Sequence, residues 1–220
     1  MPPDPRPKPS RRSCLATLAA LILAGTLAAL WIWIWIQDMA AQNHVSENGR
    51  GIILALKIWA HDNNNGKYPD SKLGEKATAN MAFRELFKSD IFQDERPFGA
   101  PRSPFIPDGE MGSAPDYAKA LEPGENHWML VAGLSTNSPG RTPLLFENAL
   151  DTSWPPKWRP GFFMPHVRGR SWRGGKIQVY RNDNSSFLVP LKKQGDYLTL
   201  PDDVLQGLPP LKVLDIEERP

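Results

Sequence analysis

The residues able to do chemistry are scattered rather than clustered. The four histidines, His44, His61, His127 and His166, include no pair at i, i+4, so they offer no zinc spacing, and Cys14 is the lone cysteine. Ser135 and Ser171 lack a G-x-S-x-G frame, and no glycine-rich phosphate loop occurs. Asp62-Asn63-Asn64-Asn65-Gly66 has the composition of a calcium loop but the wrong spacing. Counted from Asp62, position 6 is Lys67 and position 12 is Leu73, where an EF-hand needs glycine and glutamate. That run is expected to be a helix stop. The residues therefore predict no enzyme, no catalytic residues, no cofactor and no metal. A tethered hydrolase would instead need a Ser–His contact, or paired acids in a deep pocket.

One basic stretch stands out. Trp154 to Arg181 carries Lys157, Arg159, Arg168, Arg170, Arg173, Lys176 and Arg181 without an acid, interleaved with Trp154, Trp158, Phe162, Phe163, Trp172 and Tyr180. Such a mixture can bind a polyanion. The plainer expectation is a sheet whose aromatics pack inward while the bases meet acids such as Glu122, Glu125 and Glu147, with no nucleic acid as partner. An alternative is a binding module for an anionic ligand or surface built on Arg168, Arg170 and Arg173.

Whatever positions these residues hangs from Leu15 to Ile36, LATLAALILAGTLAALWIWIWI, 22 residues without a charge. A helix of that length crosses the hydrocarbon core of a bilayer. Trp31, Trp33 and Trp35 suit an interfacial belt. Of 26 bases and 24 acids, four bases and one acid lie in residues 1–14, leaving a net charge of −1 beyond the span. The positive-inside rule then keeps the N-terminus in the cytoplasm and sends the large C-terminal part across, into the periplasm of a bacterium. The apolar run is too long for a signal peptide, and cleavage after Ala41 would put Met39 at the −3 position, so an uncleaved anchor in the inner membrane is expected.

Val45, Gly49, Ile52, Leu56 and Trp59 form one helical stripe, widened by Ile53 and Ala60. With no proline between Pro9 and Pro69, the spacing predicts one helix from near Leu15 to about Asp62, with Gly49 and Gly51 as the place for a kink. Asn65-Gly66 supplies the left-handed stop. A second helix is expected over Ala77 to Phe87, with Met81, Leu86 and Phe87 facing the first. A proline-rich loop follows from Arg96 to Pro123. Strands are expected at His127 to Leu134, Thr142 to Glu147, Gly161 to Val167, Lys176 to Arg181 and Ser186 to Leu191, the last two as a hairpin about Asn182-Asp183-Asn184. The class is α+β: a long transmembrane-plus-soluble helix packed on a small antiparallel sheet. The parts divide as a disordered tail (1–14), the span (15–36), the continuing helix (37–64), a globular domain (65–200) and a C-terminal tail (201–220).

This order of parts resembles type IV pilin-like proteins and type II secretion pseudopilins. GIILALKIWAHDNNNGKYPD, ending at Asp70, is similar to the segment that closes the first helix in that group. Glu125-Asn126-His127-Trp128 and Trp172-Arg173-Gly174-Gly175-Lys176 resemble its later strands. The resemblance implies a pilin-like fold and a structural role in secretion or pilus machinery, with pseudopilin subunits and inner-membrane lipid as partners. Some members bind calcium beside their last strands, which would fall to Asn182, Asp183 and Asn184 here, with Asp202 and Asp203 further on. The opening RRSCLATLAALIL departs from the group. It has neither the processing glycine nor the glutamate of a prepilin, so peptidase cleavage and fibre membership are not implied.

Overall fold

The computed structural model describes residues 11–160 and 166–219, without the side chains of 11–16. Two units follow one another, Met1–Ala41 and Gln42–Pro220. Helix α1 (Arg11–Asn63) is unbroken through both. In the first unit, Leu18, Leu21, Ile22, Leu23, Leu27 and Leu30 are all more than half exposed, as are Trp31 and Trp33. One helix is thus long and apolar enough to cross a membrane.

In the second unit the stripe is buried as its spacing requires. Val45, Ile52 and Leu56 are fully buried, Trp59 nearly so, and Ile53 and Ala60 join them. The helix continues through Gly49 and Gly51 without a break. The helix ends where the asparagines begin: Asn65 and Gly66 take positive φ, 49° and 83°, and the Gly66 N–H donates to Ala60 O at 2.7 Å. The next residues dock that end onto the sheet. Tyr68 is buried and its hydroxyl donates to Asn182 Oδ1 at 2.6 Å. Asp70 accepts from the Gly133 N–H at 2.7 Å.

Helix α2 (Ala79–Lys88) starts at Thr78, whose hydroxyl accepts the Met81 N–H at 3.1 Å. Leu86 and Phe87 are buried, but Met81, expected on the same inward face, is exposed. Its position belongs to the outer face, while Phe83 and Phe87 stack around Phe98 at 5.2 and 5.5 Å.

The main sheet has five antiparallel strands in the order β5-β4-β2-β1-β8: β1 Trp128–Val131, β2 Pro143–Glu147, β4 Lys176–Arg181, β5 Ser186–Pro190 and β8 Val213–Leu214. Its central strands are buried on both faces, which explains why WMLV and PLLFE read as unbroken apolar runs rather than alternations. Trp128 and Tyr180 share one face, their rings 5.5 Å apart, and Tyr180 carries that face to α1. On the other, Phe146 meets Trp158 at 6.3 Å. Trp158 belongs to a second sheet, β3-β7-β6, formed by Lys157–Trp158, Tyr197–Thr199 and Lys192–Gln194. The segment Gly161 to Val167, expected as extended, lies largely outside the described residues.

One boundary needs correction. Residues 201–220, expected as a tail, hold the short helix α3 (Asp202–Leu205) and the edge strand β8. Leu130 faces Leu214 and Val131 faces Val213, and Ile216 beyond them is buried. The apolar pair Val213-Leu214 covers the β1 edge, which would otherwise present unpaired backbone groups.

Candidate functional site

Around β1, three polar groups meet that the sequence kept far apart. His127, 5% exposed, sits at the start of β1. Its Nδ1 lies 2.9 Å from Ser103 Oγ and 2.8 Å from Asn148 Nδ2, and its Nε2 is 3.6 Å from Glu147 Oε1. A serine, a histidine and a carboxylate in that order form the skeleton of nucleophilic catalysis. Each member is also held by further contacts. Ser103 is 3% exposed and its hydroxyl also accepts the Phe105 N–H at 3.1 Å. Glu147 takes the Trp172 Nε1–H at 2.7 Å and the Gln178 N–H at 3.0 Å. Asn148 Oδ1 accepts the Gly169 N–H at 2.7 Å. The group ties the loop at 103, strands β1 and β2, and the loop at 169–172 into one buried knot. Cavities of about 400 and 360 Å³ elsewhere on the surface are lined by other residues, among them Arg141 and Arg181, and Phe105 and Arg168. Neither reaches Ser103 or His127.

The residues around it are tied into the same interior. Asn126 is fully buried, donating to Asn80 Oδ1 at 3.0 Å and accepting from the Trp128 N–H at 2.9 Å. Trp128 Nε1–H reaches Pro97 O at 3.1 Å. Trp172 donates its Nε1–H to Glu147, whose Oε1 also lies 3.6 Å from His127 Nε2.

The 182–184 turn, where a calcium site of the resembled group would fall, does not gather its oxygens. Asn182 is buried and faces inward, donating to Ser135 O and Ser138 O at 3.0 and 2.8 Å and accepting from Tyr68. Asp183 is spent on the Ser185 N–H and hydroxyl, which hold its carboxyl below the usual range. Asn184 takes φ 71° at the turn. Asp202 pairs with Lys192 at 2.8 Å and Asp203 lines the cavity beside Arg141 and Arg181.

The basic stretch finds acids, though not the expected ones. Arg168 is bound by Asp215 at 2.6 Å, by Glu218, and by Ala149 O at 2.8 Å. Its guanidinium therefore closes the C-terminal segment onto the sheet. Lys157 pairs with Asp151 at 2.7 Å, and Arg170 lies over the Trp172 ring at 4.5 Å. Arg181 stacks on Phe187 at 4.5 Å. Of the other three histidines, His44 contacts Asn48 on α1, and His61 lies exposed near its end. His166 Nδ1 stands 3.3 Å from Ser103 O. Ser171 donates to Arg159 O at 3.1 Å, and Ser135 Oγ is 3.4 Å from Ser138 Oγ.

A second cluster escaped the sequence. Carboxylate oxygens of Glu95, Asp108 and Glu125 lie within 4.8 Å of one another. Glu95 is fully buried and its two oxygens accept the Leu121 and Gly109 N–H groups at 2.5 and 3.1 Å. Glu125, 1% exposed, accepts the Glu122 N–H through Oε2 at 2.7 Å. Burial, followed by the charges of Glu95 and Asp108, pushes the Glu125 carboxyl up to about 7. Burial also raises that of Glu95. The members are 13 and 17 positions apart in a proline-rich connection. No periodicity marks them.

No family model, curated protein or solved structure matches the chain.

Proposed function

We propose that this is a single-pass, non-enzymatic, pilin-like protein that works by protein–protein contact, associated with type II secretion or type IV pilus-like machinery. Its N-terminus lies in the cytoplasm, its span in a bacterial inner membrane and its folded domain in the periplasm. One observation carries the reading. A single unbroken helix has an apolar, exposed first half and a second half whose stripe is buried under an antiparallel sheet. Apolar side chains in that number are costly in water and suited to lipid or to neighbouring helices. The four bases ahead of the span supply the orientation.

The Ser103–His127 contact does not favour hydrolysis, because both side chains are buried, 3% and 5% exposed, and the Ser103 hydroxyl is also engaged by the Phe105 N–H. The saturation of Arg168 by Asp215 and Glu218 likewise counts against an anion site built on it.

Membrane fractionation with protease treatment of spheroplasts tests the topology. The expected result is a membrane-bound chain trimmed only after the outer membrane is opened; a soluble, shortened product overturns it. Crosslinking at Leu18, Leu21 or Ile22 tests the role. Adducts with other single-span secretion subunits are expected, and a chain crosslinked only to lipid would sink the association.

A further inference from the structure

We propose that Glu95, Asp108 and Glu125 form a binding site for a hard divalent cation of the Ca²⁺ type, which fastens the long connection between α2 and β1. The oxygens lie within 4.8 Å of one another, the largest separation open to two ligands of an ion held at about 2.4 Å. All three ligands are carboxylates, and an all-oxygen set selects calcium or magnesium over zinc or copper. Calcium is favoured, since the three residues are fixed by backbone contacts of unequal length and calcium tolerates irregular geometry where magnesium does not.

The second, independent observation is Glu125 Oε1. It is buried and receives no hydrogen bond, although its residue is 1% exposed. A buried carboxylate oxygen without a donor is costly. The nearest cation is Arg219 at 3.5 Å, an ion pair without a hydrogen bond, whose side chain is 65% exposed and donates instead to Pro123 O at 3.1 Å. Around the cluster the backbone N–H groups of Gly109, Leu121 and Glu122 fix the carboxylates and use one lone pair each. A carboxylate oxygen has a second lone pair, so these contacts orient the ligands without exhausting them. Asp108 is exposed and leaves an open side where water completes a shell of six to eight.

The location gives the ion a purpose. From Gly99 to His127 the chain runs without helix or strand, far longer than an ordinary connection. Glu95 stands before this loop, Asp108 within it and Glu125 at its end. One ion bound by all three would close it in two places. Burial, with the neighbouring carboxylate charges after it, raises the Glu125 and Glu95 carboxyls, and a bound cation would neutralise those neighbouring charges.

The test uses the full chain in detergent, stripped with EDTA, dialysed and titrated with CaCl₂ at pH 7.5, with MgCl₂ in parallel. Calorimetry should report one Ca²⁺ per chain, at least tenfold tighter than Mg²⁺, with a rise in Tm. Asp108→Asn lies on the surface and should fold normally, yet weaken Ca²⁺ binding at least tenfold. Glu125→Gln should abolish it. Absence of saturable Ca²⁺ binding overturns the proposal. So does binding that Asp108→Asn leaves unchanged, because the ion would then sit elsewhere. Protection of the 99–127 loop from trypsin by Ca²⁺ in the wild type, lost in Asp108→Asn, is the accompanying structural readout.

Discussion

The ring of Tyr180 rests on the backbone of α1 at Gly49. A Cβ built on Gly49 would stand 2.2 Å from Tyr180 Cζ, and the tyrosine hydroxyl donates to Val45 O at 2.8 Å, one turn earlier. The glycine that sequence reasoning marks as a weak point in the helix is thus a socket. Tyr180 belongs to β4, pairs with Leu145 on β2 and touches Trp128 on β1. One aromatic side chain therefore sets how closely the sheet approaches the helix. Burial within that contact raises the Tyr180 hydroxyl above the ordinary tyrosine value, in keeping with its role as donor to Val45 O.

Gly49→Ala and Gly51→Ala should have opposite signs. Both gain about 1 kcal/mol of helix propensity. At Gly51 a Cβ meets nothing within 4 Å, so the gain is kept and Tm should rise by about 2–4 °C for a domain of this size. At Gly49 the methyl group displaces Tyr180, and overpacking costs about 1–3 kcal/mol, so Tm should fall. Thermal unfolding by circular dichroism reads both. Equal, stabilising effects would mean that the socket is slack.

The C-terminal segment should prove indispensable. Deleting residues 211–220 removes β8 from the β1 edge, along with the Gly124 N–H to Glu217 O and Ala79 N–H to Asp215 O bonds, each 2.7 Å. Expected outcomes are loss of a cooperative melt and a tendency to aggregate through the bared edge, measured by circular dichroism and size-exclusion chromatography. A monodisperse truncated chain with wild-type Tm would restore the idea of a tail.

Arg168→Met tests the clamp more gently. The guanidinium donates to the Asp215 carboxylate at 2.6 and 2.8 Å and to the neutral acceptor Ala149 O at 2.8 Å. Hydrogen bonds to charged groups contribute about 1.5–3 kcal/mol; solvent access at Asp215, 41% exposed on its side chain, places the expected loss at the lower end. Urea denaturation should show a lower midpoint at unchanged slope. Raising NaCl to 1 M should reduce the wild-type stability toward that of the variant.

What could be read in advance was what depends on neighbours in sequence. The stripe from Val45 to Trp59, the stop at Asn65-Gly66 and the hairpin across 182–184 all rest on short-range periodicity or turn chemistry, and the structure has all of them. A second hairpin, Lys192–Gln194 with Tyr197–Thr199, turns at Gly195-Asp196, but its outer strand carries no apolar residue and so shows no alternation in the sequence. Strand β8 is two residues long and exists only because β1 needs a neighbour. The Ser103–His127 and Glu95–Asp108–Glu125 groups are assembled by a loop without periodicity, so only tertiary structure brings them together.

Finally, stability should fall as pH rises through the window set by Glu125. Its carboxyl moves from 4.5 to about 7 in the folded chain, so the native state binds the proton more tightly than the unfolded one. Below pH 4.5 both states are protonated and the group exacts no penalty. Between 4.5 and about 7 the unfolded chain ionises while the native one resists, so stability is lost, and above that the loss is complete. Glu95 and Asp70, both raised chiefly by burial, add to the slope in the same direction. Urea unfolding of EDTA-stripped protein from pH 4.5 to 8 should show this decline, and Glu125→Gln should flatten much of it, since an amide does not titrate. Added Ca²⁺ should oppose the decline chiefly at the alkaline end, where the ionised carboxylates favour a bound cation. A pH profile identical in wild type and Glu125→Gln would show that Glu125 ionises as freely in the fold as in the unfolded chain.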